Sequence, residues 1–128
     1  MTKNFSISEF ECKGGNCKMT ADVKNNVFKL AEQLQILRDK VKKPIKINSA
    51  FRCANYNDNV IKGAKYSQHK LGKAADIVVI GMTPNEVHKL VCEMVECGEL
   101  NFGGIGKYNT FTHLDIRDKK SRWDYTKK

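Results

Sequence analysis

The chain has 128 residues, 41% of them hydrophobic, and its 23 basic and 14 acidic side chains leave a formal charge of +9. That length excludes a multidomain enzyme and predicts a single domain over residues 1–128, and the ordinary apolar fraction excludes a disordered chain. A balance this basic predicts an acidic partner: nucleic acid, an anionic lipid surface or an anionic polymer.

No apolar run approaches the roughly 18 residues of a membrane span, so membrane insertion is not expected; the longest, Ala74 to Met82, is strand-sized. The opening MTKNFSISEFECK lacks the apolar core of a signal peptide, and synthesis in the cytoplasm is expected. Five cysteines, an odd number, argue for reduced thiols. Cys12 and Cys17 lack the CxxC spacing of a zinc knuckle, so ECKGGNCK is expected to be a plain turn.

From Thr20 the apolar positions Val23, Val27, Leu30, Leu34, Leu37 and Val41 draw one stripe on a helix, which Thr20 or Asp22 can cap and Pro44 ends. Ile45 and Ile47 then alternate as a short strand running into Arg52. CANYNDNVIKGAKYS, with its Asn, Asp and Gly clusters, is expected as a short helix and a loop. Ala74 to Ile80 reads as a strand, and Thr83-Pro84-Asn85-Glu86 is a capping box opening a second helix with the stripe Val87, Leu90, Val91, Met94 and Val95. Gly98 closes that helix. After NFGGIGKYN, Phe111 to Arg117 alternates as a last strand, followed by a basic tail around Trp123. The order predicts an α+β fold: a small antiparallel sheet packed with two main helices.

Chemistry gathers at two places. His69 stands seven residues before Asp76, a carboxylate in the otherwise apolar AADIVVI, where burial is costly unless the group is paired or bound to a metal. His113 and Asp115 are two apart on a strand, so both leave the same face. Two histidines and a carboxylate with an open fourth position is a ligand pattern of catalytic zinc, which supplies hydroxide near neutral pH. Against it stands the plain alternative of hydrogen-bonded strand histidines and an aspartate pairing with lysine. His88, which follows the stripe of the second helix and has no carboxylate partner nearby in sequence, is left as an ordinary surface or hydrogen-bonded histidine.

The segment SxHxxGxAxD, present as Ser67, His69, Gly72, Ala74 and Asp76 and followed by the later HxD, resembles the M15 family of zinc peptidases that cut peptidoglycan stem peptides. INSAFR, ending at Arg52, is similar to that family's strand-end segment, and GGIGKYNTFTHLDIR to its glycine-rich turn and metal strand. The resemblance implies the small α+β unit shared by D-alanyl-D-alanine carboxypeptidases and the hedgehog signalling domain. It implies one zinc per chain on His69, Asp76 and His113. It gives Arg52 to the oxyanion or a substrate carboxylate, and Ser67 and Gln68 to contacts with the peptide. Several members carry the general base three residues before the last histidine ligand, and here that position is Thr110. Asp115 is the available substitute as base, or else it fixes the tautomer of an imidazole.

The function expected is therefore zinc-dependent hydrolysis of a stem-peptide or cross-link amide by a monomer. Its type would be D,D-carboxypeptidase or endopeptidase, with release to the wall as a phage or prophage endolysin. A non-catalytic wall-binding or signalling module is the alternative. Nucleic acid is not expected as partner, since no helix carries a basic face interleaved with aromatics. Most of the net charge lies from Lys40 to Lys73, and a cationic rim around the cleft is expected from it.

Overall fold

The computed structural model describes residues 1–13, 18–53 and 67–126, so the helix and loop expected around 54–66 lie outside the described residues. Thr20 is the cap of the first helix: its Oγ1 accepts from the Val23 amide at 3.3 Å, and α1 spans Ala21–Val41. The buried face, Val27, Leu30, Ala31, Leu34 and Leu37, is the centre of the expected stripe. The helix stops where Lys42 turns left-handed at φ 54°.

β1 (Ile45–Ser49) follows, then β2 (Ala74–Val79). The capping box at Thr83 is formed in full: the Glu86 amide donates to Thr83 Oγ1 at 3.1 Å, and the Thr83 amide donates to Glu86 Oε1 at 2.8 Å. It opens α2 (Pro84–Glu96), which buries Val87, Val91 and Met94.

Three strands complete the sheet: β3 (Gly104–Lys107), β4 (Thr112–Asp115) and β5 (Ser121–Asp124). Their order is β1-β2-β4-β3-β5, antiparallel except where β5 runs parallel to β3. The sheet is therefore mixed at one edge, and it has two strands more than the alternation in the sequence marks. Only Ile105 identifies a buried side of β3. SRWD carries no apolar period, because β5 gains its place from backbone pairing with β3.

Ala75, Ile77, Val79, Ile105 and Leu114 point to the side shared with the helices and form the core with them. The alternate residues point to the other side and make two rows across the strands. One row is Asp76, His113, Gly106 and Trp123; the other is Ala74, Asp115, Gly104 and Ser121. Chemistry and core are thus separated by the two faces of one sheet.

Cys53 is disulfide-bonded, which corrects the expectation of reduced thiols throughout; among the described residues Cys12, Cys92 and Cys97 are free. Pairing depends on which sulfurs meet in space, and the parity of a count carries no information on that. Among the described residues no helix is long and apolar enough to cross a membrane.

Candidate functional site

His69 is carried on a single 3-10 turn, Gln68–Leu71, whose cap is Ser67: its Oγ accepts from the His69 amide at 3.1 Å. The turn closes at Gly72, where φ is 74° and an added Cβ would stand 2.9 Å from Val23 Cγ1 on α1, so only glycine serves there. The Arg52 amide donates to the His69 carbonyl at 3.0 Å and fastens this turn to the end of β1.

His69 Nδ1 lies 2.7 Å from the carbonyl oxygen of Ala50, which can only accept. Nδ1 therefore carries the proton, and Nε2 is aimed at Asp76 Oδ1, 3.2 Å away. His113 is held by its opposite nitrogen: Nε2 donates to Asp115 Oδ2 at 2.7 Å, and Nδ1 faces Asp76 Oδ1 at 3.0 Å. The three residues are buried, and their ligand atoms all lie within 4.8 Å of one another. Two imidazoles and a carboxylate, each imidazole fixed through its outer nitrogen, are a donor set fitted to a divalent metal ion.

The electrostatics of the group agree with that fit. Burial works to raise the pKa of Asp76, but the hydrogen bonds from His113 and His69 outweigh it and hold the carboxyl far below the ordinary range. Burial opposes charge on His113, yet the bonds to Asp115 and Asp76 prevail and raise its pKa. Protons thus satisfy a charge pattern that a cation can satisfy instead.

The ligand set lies in a cleft of about 540 Å³, also lined by Arg52, Ser67 and Gln68 on one side and Arg117 and Trp123 on the other. Arg52 donates from its NH2 nitrogen to Asp76 Oδ2 at 3.2 Å and from Nε to Ser49 Oγ at 3.1 Å, so its guanidinium stands beside the ligands. A family model described as Peptidase M15 matches residues 3–115. The chain belongs to this peptidase family. A search of curated proteins finds no match.

In this M15 peptidase the residues named from sequence come together, with one exception in placement. Asp115 is fully buried behind His113, away from the cleft surface, and both its oxygens are engaged. Arg117 donates from Nε to Oδ1 at 2.8 Å, from its NH2 nitrogen to Oδ2 at 2.7 Å, and from its backbone amide to Oδ1 at 3.1 Å. Burial pushes the Asp115 pKa upward, but the bonds from His113 and Arg117 win and depress it strongly. Thr110 is exposed.

No role at the site is expected from sequence for Arg117, Trp123, Gly104 or Gly106. The glycines alternate, and that spacing was their signal. A Cβ at Gly104 would collide with the Asp115 carboxylate, and one at Gly106 with the indole of Trp123. Each glycine leaves its place in the row to a side chain from the neighbouring strand. His88 stands apart from the cleft on α2, its Nε2 3.8 Å from Cys92 Sγ.

The expected cationic rim is corrected in extent. Among the described lysines and arginines from Lys40 to Lys73, Arg52 alone lines the cleft. Lys40 pairs with Glu99 at 3.9 Å, and Lys73 opens onto a separate polar concavity with Asp118. Lys62 and Lys65 lie outside the described residues.

Proposed function

We propose that this metallopeptidase is a zinc enzyme that hydrolyses an amide of the peptidoglycan stem peptide or its cross-link. D,D-carboxypeptidase and endopeptidase action, the endolysin type included, both fall within this reading. The observation that carries it is the convergence of His69 Nε2, His113 Nδ1 and Asp76 Oδ1 at the wall of an open cleft beside Arg52. His69, Asp76 and His113 would hold one zinc, which supplies Lewis acidity and a nucleophile near neutral pH.

The chain's own residues then have separable tasks. Arg52 presents a guanidinium suited to a carboxylate or to the oxyanion of a tetrahedral intermediate. Ser67 and Gln68, on the turn that carries His69, offer hydrogen bonds to the peptide. Asp115 is assigned to hold His113 rather than to accept a proton, because it is buried, doubly clamped by Arg117 and poorly basic. Every group named comes from one chain, as a monomeric enzyme requires.

One observation favours the second reading, a wall-binding or signalling module: among the described residues lining the cleft, the only carboxylate is the ligand Asp76. Incubation of the zinc-loaded chain with purified peptidoglycan, read by mass spectrometry of released fragments, separates the two. New amino termini in the stem or cross-link, absent with His69→Ala, support the enzyme. One zinc per chain with no cleavage on walls of any stem composition supports the module.

A further inference from the structure

Beyond the ligand set, the cleft continues along an aromatic wall to which the peptidase reading gives no task. Tyr108 stacks on Phe111 with 4.3 Å between centroids and 13° between planes, and Tyr125 leans on Tyr108 at 5.4 Å. Trp123 Nε1 donates to Tyr108 Oη at 2.9 Å. All four rings line the cleft.

The wall is packed from behind at Trp123. Gly106 leaves the space in which the indole lies, the His113 ring stands 5.0 Å from it, and the Arg117 guanidinium lies 5.3 Å from its centroid. Tyr125 completes the wall at the mouth. At 65% exposure it is the most exposed large apolar side chain among the described residues. A fixed aromatic surface opening onto solvent inside a cleft is a surface that has yet to meet its partner.

We propose that this wall is a saccharide subsite, in which an N-acetylated pyranose ring of the wall glycan lies against Tyr108 and Tyr125. The inference rests on the reading of peptidoglycan as substrate. A pyranose has an apolar C–H face and a rim of hydroxyl and amide groups. The wall matches both, with ring faces for the one and the phenol oxygens, Ser121 and Arg117 for the other. An alkyl chain would leave those polar groups desolvated without partners. A cationic ligand would face Arg52 and Arg117. An oligonucleotide base would also stack, but among the described residues the cleft is lined by two cations, Arg52 and Arg117, too few to neutralise a run of phosphates.

Trp123 is the only tryptophan of the chain, so its emission reports on the wall directly. The full chain is titrated with the tetrasaccharide of N-acetylglucosamine, which is neutral and contains no peptide, with maltotetraose as a control of equal size. A saturable emission change with the first alone, insensitive to salt, is expected. Tyr125→Ala should weaken it about tenfold, with bound zinc and melting temperature unchanged. Absence of a saturable change, equal binding by Tyr125→Ala, or a response only to oligothymidylate that falls steeply with salt overturns the proposal. Saccharide binding by a chain that cleaves no wall peptide leaves the subsite standing and removes the peptidase reading instead.

Discussion

Asp115 and Arg117 stand behind the candidate metal ligands: Asp115 holds His113 Nε2 and Arg117 holds Asp115. A carboxylate that keeps one imidazole nitrogen protonated turns the other nitrogen's lone pair toward the metal, and such partners govern affinity through orientation. Asp115→Asn is therefore expected to weaken zinc binding by about 10–100-fold in a chelator competition titration. Arg117→Lys, which keeps the charge but loses the two-pronged grip on Asp115, should weaken it less. Wild-type zinc affinity in Asp115→Asn together with lost turnover would return Asp115 to the role of base. Arg52→Lys tests the other side of the cleft. It should lower kcat/KM by about two orders of magnitude while zinc content stays at one per chain, since an ammonium cannot reproduce the guanidinium's directed donors.

At β3 the strand itself is shaped by its neighbours. Gly104 and Gly106 occupy the middle of two transverse rows, and the side chains of β4 and β5 lie over them. Gly104→Ala is expected to cost about 1–3 kcal/mol in thermal or urea unfolding and also to lower zinc affinity, because the displaced group is the Asp115 carboxylate. Thr83→Ala makes a contrasting case at the start of α2. Losing that cap should cost about 1 kcal/mol and leave zinc affinity untouched, since the helix packs on the sheet face away from the site. Equal effects of the two substitutions on zinc binding would contradict the separation of core face and site face.

For the molecule as a whole, the buried ionisable groups tie stability to pH in two opposite ways. Asp76 and Asp115 have folded pKa values depressed below the ordinary 3.8, so their contribution is present above that value and lost as pH falls toward the folded values. His113 has a raised pKa. In the metal-free protein its contribution is complete below 6.5 and lost as pH rises through the folded value. Zinc held by the proposed ligands would need His113 neutral and would replace that proton, so metal would stabilise most where the proton no longer does. Melting curves of the EDTA-treated chain should fall in Tm as pH rises above about 6.5, while the increment on adding zinc grows over the same interval. A zinc increment that does not change with pH would show that His113 is not displaced from its proton by the metal.

Much of the fold and the site could be read from residue order because the signals were local. The stripe of α1, the capping box of α2 and the lone carboxylate in AADIVVI are each written in a continuous stretch of chain, and the three ligands implied by the family resemblance, His69, Asp76 and His113, lie together in the fold. The parallel β5, the work of the paired glycines, the burial of Asp115 behind His113, the disulfide at Cys53 and the aromatic wall were not readable in that way. The disulfide apart, each depends on how neighbouring strands pair across the sheet and on which side chains then compete for the same space. The sequence by itself determined which chemical groups this peptidase has to work with. Only the tertiary structure decided which of them face the cleft and which stand behind it, because that depends on the two faces of one sheet.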